Sequence, residues 1–305
     1  MFKLPSTIPR IEDAIEVLTD YLEYECIKAG KISLLREINK LAFQNDEMLI
    51  EGTEDESDAA LSKIEEITQE MGRRQEFSGS KYPFTLQNQG YNLTIERDTL
   101  PYWVYVYLLL STRLNMKDNK KHNDIDGTQI LEYLSAIVAK SYFGERSQSF
   151  VFGTAAQGGF EEKVNDLCRK IGEGKQFVNR NNGPLKQNDD KLDVVVWTDF
   201  RDKRWSKFIG FGQCKTGTTF DDQDAIELQP DGFCAKWFHT IPVVKPIKLF
   251  FCSQYYPLDD YSKAKNAGLV FDRMRIMDFL PAQIDEVLDQ RIVSWCKGAL
   301  GFLEK

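Results

Sequence analysis

The sequence predicts an α/β protein, with a helical first half followed by a mixed sheet that is flanked by helices. In residues 1–145 apolar side chains recur at helical spacing, and after residue 146 strand-like apolar runs alternate with helical segments. The charge changes at the same place: residues 1–145 hold 16 Lys and Arg against 25 Asp and Glu, and residues 146–305 hold 23 against 22. We therefore expect two domains, 1–145 and 146–305, of which the first is an acidic helical unit that regulates the protein or binds a partner.

The first half predicts five helices. They are expected from about residue 11 to 29, 32 to 43, 59 to 71, 101 to 114 and 127 to 143. Residues suited to capping helix N-termini precede the fourth and fifth helices (Asp98, Thr99, Asp126), and a glycine follows the first and third (Gly30, Gly72). Residues 51–58 contain five acidic residues, Glu51, Glu54, Asp55, Glu56 and Asp58, and are expected to form a solvated loop.

The second half predicts strands and helices in mixed order. An amphipathic helix is expected at 160–171, and further helices near 231–239, 259–267 and 282–303. Strand-like runs lie at 192–197, 208–215, 247–256 and 268–279.

The sequence excludes several classes of enzyme and site. The two histidines, His122 and His239, form no HExxH motif, and neither a GxxxxGK[ST] nor a GxGxxG string occurs. The six cysteines form no CxxC pair, so we expect free buried thiols in a reducing compartment. The longest apolar run, residues 103–110, is far shorter than the ~20 residues of a membrane helix, so we expect a soluble cytoplasmic protein with no membrane partner. Catalysis would then depend on carboxylates, lysine and a hard metal ion.

Polar residues in two neighbouring strands form the candidate site. In the run FIGFGQCK, Gln213 and Lys215 share one face of the strand, and Asp193 lies in the strand before it. If the two strands pair about a turn centred on Lys203, residues whose numbers sum to 406 face each other, which places Asp193 opposite Gln213. Asp193, Gln213 and Lys215 are then expected on one face of the sheet.

The order of these residues resembles the motif of the PD-(D/E)XK nuclease superfamily, in the D…QxK variant of Mrr-like restriction endonucleases. In this chain the motif consists of Asp193, a hairpin of about twenty residues, and Gln213-Cys214-Lys215. The upstream helix GGFEEKVNDLCRKIG is similar to the FExxVxxLxxxxG helix that supplies an acidic residue in those enzymes. The resemblance covers about residues 151–280 and implies a restriction-endonuclease-like fold for the second half.

The resemblance also implies a metal site and a role for each residue. Asp193, the Gln213 side chain and the Cys214 carbonyl would hold Mg²⁺ or Mn²⁺, Glu161 would complete the shell through water, and Lys215 would position the attacking water. Glu162 is the alternative helix acid. Gln213 stands where the family has an acid, which leaves one negative charge fewer at the metal. Taken singly, these residues also have structural interpretations: a strand-start cap for Asp193, an edge lysine for Lys215, a solvated charge for Glu161 and a lining amide for Gln213.

Two groups of lysine and arginine side chains are candidates for nucleic-acid binding. Lys203, Arg204 and Lys207 lie with Trp205 in the hairpin loop, where the alternative is a solvated turn. Arg273 and Arg275 fall on one face of the last predicted strand, where the alternative is an ion pair with Asp272 or Asp278.

The resemblance therefore implies a Mg²⁺-dependent DNA endonuclease. Because the chain has no sign of a motor or methyltransferase, the resemblance also suggests one component of a bacterial antiviral defence system. Its acidic half would restrain it or dock on a partner such as a helicase or ATPase subunit, or a second copy of the chain. The alternative function is an inactive nuclease-fold module that binds DNA or a protein. A third possibility, a structural scaffold, leaves the polar residues at 213–215 unexplained.

Overall fold

The computed structural model describes residues 2–43, 54–180, 189–217, 226–256 and 265–304. Within these ranges the longer helices are α1 Ile15–Ala29, α2 Leu34–Phe43, α3 Glu54–Phe77, α4 Leu100–Arg113, α5 Gly127–Phe143, α6 Phe160–Ile171, α7 Pro230–Trp237, α8 Arg273–Asp278 and α9 Glu286–Leu303. The strands are β1 Lys31–Ser33, β2 Phe84–Gln87, β3 Asn92–Ile95, β4 Lys121–His122, β5 Ile125–Asp126, β6 Ser147–Val151, β7 Val194–Thr198, β8 Phe208–Lys215, β9 Ile247–Cys252 and β10 Leu269–Phe271. The protein is α/β, as expected.

The five-stranded mixed sheet carries the candidate site. Its order is β10-β9-β8-β7-β6, in which β6, β7 and β8 are antiparallel neighbours and β9 and β10 continue parallel to β8. Val194 pairs with Gly212 and Thr198 pairs with Phe208, so the predicted register of the β7–β8 hairpin is confirmed. Its buried valines and glycines let the strands pack closely between layers of helices.

One apolar core crosses the expected boundary at residue 145. The main cluster joins residues of α1 to α5 with Leu249 and Phe251 of β9 and with the buried face of α9. Helix α9 packs on α4, and α5 packs on β6, β7 and β8. The packing therefore does not separate 1–145 from 146–305, and a regulatory or partner-binding role for the first part stays a prediction.

A buried ionic network also joins the two parts of the chain. Asp20 of α1 accepts hydrogen bonds from Arg74 Nη1 at 2.7 Å, from Arg113 Nε at 2.7 Å and from Arg273 Nη1 at 2.8 Å. Burial alone would raise the pKa of Asp20, but the three guanidinium groups hold that pKa well below its usual value. A carboxylate shared by three arginines fixes α1, α3, α4 and α8 relative to one another.

Several predicted elements in the first half were wrong. β1, β2 and β3 form an antiparallel sheet where only helices and loops were expected. Helix α3 begins at Glu54, within the expected acidic loop, and continues past Gly72 to Phe77. Nothing lies within 4 Å of where a Cβ on Gly72 would stand, and the residue does not end the helix. Residues 51–53 of the expected loop lie outside the described residues.

The strand expected at 268–279 is also wrong over most of its length. β10 ends at Phe271, and helix α8 begins at Arg273 because the Asp272 side chain accepts a hydrogen bond from the Arg275 backbone N–H at 3.0 Å. The expected helix at 259–267 lies mostly outside the described residues. Strand β6 was not expected from the sequence.

Candidate active site

Asp193 directly precedes β7 and is hydrogen-bonded to β8 on one side and to the residues that follow β6 on the other. Its backbone N–H donates to Gly212 O at 2.9 Å, and its carbonyl oxygen accepts from the backbone N–H groups of Phe152 and Gly153. Its carboxylate Oδ2 accepts a hydrogen bond from the Cys214 backbone N–H at 2.7 Å. The hairpin therefore places the Asp193 carboxylate against the Gln213-Cys214-Lys215 end of β8.

A second carboxylate, that of Glu132, lies beside Asp193. Glu132 is on α5 and is only 4% exposed; its Oε1 accepts from the Thr154 backbone N–H at 3.1 Å, and its Oε2 from the Ala155 N–H at 2.9 Å. A Cβ on Gly153 would stand 2.6 Å from Glu132 Oε2 and 2.7 Å from Asp193 Oδ1. These two carboxylate oxygens are therefore no further apart than the sum of those distances.

Both carboxyl groups have raised pKa values, and the charge of Glu132 contributes to the shift of Asp193. Burial and the charge of Glu132 raise the pKa of Asp193 well above its usual value, against the hydrogen bond from the Cys214 N–H. Burial likewise raises the pKa of Glu132, although hydrogen bonds from Thr154 and Ala155 oppose the shift. Two converging carboxylates of this kind are stabilised by a proton or by a metal cation.

The Gln213 side chain is occupied by a neighbouring segment. It is 3% exposed; its Nε2 donates to Glu227 Oε2 at 2.8 Å, and its Oε1 accepts from the Leu228 N–H at 3.3 Å. Lys191 also pairs with Glu227, at 2.9 Å. Burial would raise the pKa of Glu227, but the hydrogen bonds from Lys191 and Gln213 and the charges of Lys191 and Lys215 lower it. Gln213 therefore positions Glu227 and Leu228, and its amide oxygen already accepts a hydrogen bond.

Lys215 ends β8, half-buried, on the same end of the hairpin as Asp193. The hairpin thus brings Cys214 against the Asp193 carboxylate, with Gln213 and Lys215 on either side of Cys214 in β8.

Glu161 and Glu162 are placed differently. Glu161 is exposed on the first turn of α6, and Glu162 Oε2 accepts from the Gly159 backbone N–H at 3.1 Å, which caps that helix. Among the described residues, the carboxylate that converges with Asp193 over Gly153 belongs to Glu132, which was not predicted from the sequence. The signal that could have found it was a single acid in the otherwise apolar run ILEYLSAIVA.

The donor set suits a hard, largely hydrated cation. Within the described ranges, no group of three or more His, Cys, Asp or Glu side chains is arranged to hold a metal ion. Magnesium, however, keeps several waters and is commonly bound by only one or two carboxylates. The Asp193 and Glu132 oxygens, with the Cys214 carbonyl nearby, fit such a site.

The predicted nucleic-acid contacts divide into exposed and buried groups. Lys203 and Arg204 are exposed in the hairpin loop beside Trp205, which is 71% exposed. Lys207 is buried and pairs with Asp199 at 2.5 Å, so its prediction as a nucleic-acid contact was wrong. The loop is also at the far end of β8 from Lys215, about 24 Å away at ~3.4 Å per residue.

Arg273 and Arg275, which were predicted in the last strand, lie in α8. Arg273 is fully buried against Asp20, so its predicted contact with nucleic acid was also wrong, and the pairing with Asp272 or Asp278 was not the one formed. Arg275 is exposed and donates to Val270 O at 2.8 Å. A buried guanidinium bound to a carboxylate cannot reach a phosphate.

Compared with known proteins, the chain matches no family model, no curated protein and no solved structure. The resemblance to PD-(D/E)XK nucleases therefore stays a prediction from the sequence motifs. Among the described helices, none is both long enough and apolar enough to span a membrane.

Proposed function

We propose that the protein is a metal-dependent deoxyribonuclease with a restriction-endonuclease-like second half. The observation that carries the proposal is the convergence of Asp193 and Glu132 over Gly153, at the end of a hairpin whose other strand ends in Lys215. Two carboxylates and a lysine at one end of a sheet are suited to phosphodiester hydrolysis.

Each residue has a distinct part in the proposed reaction. Asp193 and Glu132 would hold the cation, together with the Cys214 carbonyl, and Glu132 takes the place predicted for Glu161. When bound, Mg²⁺ or Mn²⁺ would offset negative charge that develops on the phosphate oxygens. Lys215 would orient the attacking water. Gln213 would hold Glu227 and Leu228 against β8 rather than bind the metal through its side chain.

The elements expected from the family motif support this proposal. A helix, the Asp193 strand, the QxK strand, a helix and a strand follow in that order as α6, β7, β8, α7 and β9. Helix α5 is added to this set because it supplies Glu132. Part of the first 145 residues therefore belongs to the proposed site itself.

Nicking of supercoiled plasmid tests the proposal. The wild type should cleave with Mg²⁺ or Mn²⁺ and not in EDTA, whereas Asp193→Asn, Glu132→Gln and Lys215→Ala should each lose at least about 100-fold in rate. Glu161→Gln and Glu162→Gln are matched controls and should retain near wild-type rates. Circular dichroism and urea unfolding would show that each variant is folded.

Two results would contradict the proposal in different ways. Wild-type rates in folded Asp193→Asn and Lys215→Ala would remove the site assignment. A wild-type protein that binds DNA and cleaves with neither metal would support the alternative, an inactive nuclease-fold module. The replacement of an acid by Gln213, whose amide is already occupied, is the observation that favours that alternative.

We infer the biological setting from the resemblance to restriction endonucleases and from the charge of the first part of the chain. An intracellular DNA-cutting enzyme needs restraint, and a net charge of −9 over residues 1–145 suits docking on a basic partner. We therefore retain the proposal of a cytoplasmic component of a bacterial antiviral defence system, with a helicase or ATPase subunit or a second copy as partner. Copurification of the native complex is its direct test.

A further inference from the structure

A cavity of about 710 Å³ lies beside the end of β8 that carries Lys215. One wall is formed by residues 3–6, a second by residues 114–117 and 119, and a third by Thr216 and Gly217, which directly follow Lys215. Its polar lining includes Lys3, Ser6, Asn115, Lys117, Asn119 and Thr216. The volume is in the range of small-ligand sites.

The walls of this cavity are tied to the last turn of α4. The Leu4 backbone N–H donates to Arg113 O at 3.0 Å, and the Gly217 backbone N–H donates to Ser111 O at 3.0 Å. The second wall is a turn in which Asn115 Nδ2 donates to Asp118 Oδ2 at 2.6 Å. The cavity is therefore built on a buried helix rather than on independent loops.

The described lining of the cavity is positively charged. Among the described residues that line the cavity, the charged ones are Lys3 and Lys117. Asp118 lies next to Lys117 in sequence, is exposed, and accepts a hydrogen bond from Asn115. Burial, and to a smaller extent the Arg113 charge, lower the pKa of Lys3, whose Nζ donates to Thr112 O at 3.4 Å. A second cavity, along β6 and α6, instead has Glu162 and Asp166 beside Lys163 and Arg169.

We infer that the cavity of residues 3–6, 114–117, 119 and 216–217 binds a backbone phosphate of the nucleic acid that neighbours the phosphate at Lys215. The inference rests on the proposed function. Thr216 and Gly217 extend at most ~7 Å beyond Lys215, which is a single nucleotide step along one strand. The hairpin loop with Lys203 and Arg204 lies about 24 Å away at the other end of β8, so it does not reach the same phosphates.

The test is a charge-matched comparison of DNA binding in EDTA, where the proposed cleavage does not occur. The probes are a fluorescein-labelled duplex of about 20 base pairs and its single strand, measured by anisotropy between about 50 and 200 mM KCl. Lys3→Ala/Lys117→Ala should weaken duplex binding at least about tenfold at the lowest salt and reduce the salt slope by ~0.9, the change expected when one phosphate contact is lost. Lys31→Ala/Lys265→Ala, two exposed lysines elsewhere, removes the same charge and should change affinity less than about twofold.

Lys117→Glu, a single exposed substitution, repeats the test if the double variant does not fold. Three results would overturn the inference. They are an equal loss of DNA affinity in the two double variants, unchanged DNA affinity in folded cavity variants, and no binding of either probe by the wild type. The nuclease proposal is tested separately. If the wild type cleaves with metal and the cavity variant binds DNA as well as the wild type, only the phosphate-site inference is contradicted. If the cavity variant loses DNA binding but the wild type does not cleave, only the nuclease proposal is contradicted.

Discussion

Gly153→Ala is expected to abolish cleavage at a modest cost in stability. The added Cβ would stand 2.6 Å from Glu132 Oε2 and 2.7 Å from Asp193 Oδ1, closer than a methyl group and an oxygen can approach. Neither carboxylate moves freely, because Thr154 and Ala155 hold Glu132 and the Cys214 N–H holds Asp193. We expect destabilisation of about 1–3 kcal/mol, typical of an overpacked site. Displacing a catalytic group by ~1 Å costs about 100-fold in rate, and here two groups move.

The assay is plasmid nicking with Mg²⁺ and with Mn²⁺, beside urea unfolding of the same preparations. Gly159→Ala is the matched control, because nothing lies within 4 Å of its added Cβ although it follows in the same segment. The control should cleave at a rate close to that of the wild type. Folded Gly153→Ala protein with a wild-type rate would refute the reasoning, since the carboxylate pair would then not need its close approach.

Asp20→Asn is expected to destabilise the protein by about 3–5 kcal/mol, because it leaves three buried guanidinium groups without their shared carboxylate. In urea unfolding Asp166→Asn, which removes a surface carboxylate paired with Arg169, should change stability by less than about 1 kcal/mol; equal effects would contradict the assigned role of the network. The six cysteines are expected to resist modification at mildly alkaline pH, because burial raises their pKa values, for Cys168 to about 12. Reaction with Ellman's reagent should be about a thousandfold slower than for a free thiol and complete in guanidinium, and fast reaction of several thiols in the native protein would count against this burial.

The sequence predicts the parts of the fold whose information is local. The β7–β8 register follows from two apolar runs of similar length on either side of one polar turn. The start of α4 follows from Thr99 and Pro101, because the Thr99 side chain accepts a hydrogen bond from the Tyr102 N–H and proline is favoured in the first turn of a helix. The β1–β3–β2 sheet could not be predicted in the same way. Its strands are three or four residues long, too short for a period of two to be distinguished from a helical pattern.

The site residues that lie in one hairpin were predicted from the sequence, whereas those that come from distant segments of the chain were missed. Asp193 and Lys215 belong to neighbouring strands, so their proximity follows from the register. Glu132 comes from a helix that precedes the hairpin, and only its acidic character within an apolar run marks it. Arg273 pairs with Asp20, 253 residues away, a contact that no local pattern encodes.

The packing of α9 on α4 has a consequence for synthesis of the chain. Cys296 Sγ donates to Trp103 O at 3.5 Å across 193 residues of sequence. At ~5–20 residues per second, a ribosome adds those residues in about 10–40 s. During that interval α4, buried along almost its whole length in the finished protein, lacks the helix that covers it. We therefore expect part of the apolar surface of α4 to stay exposed in the nascent chain until α9 emerges.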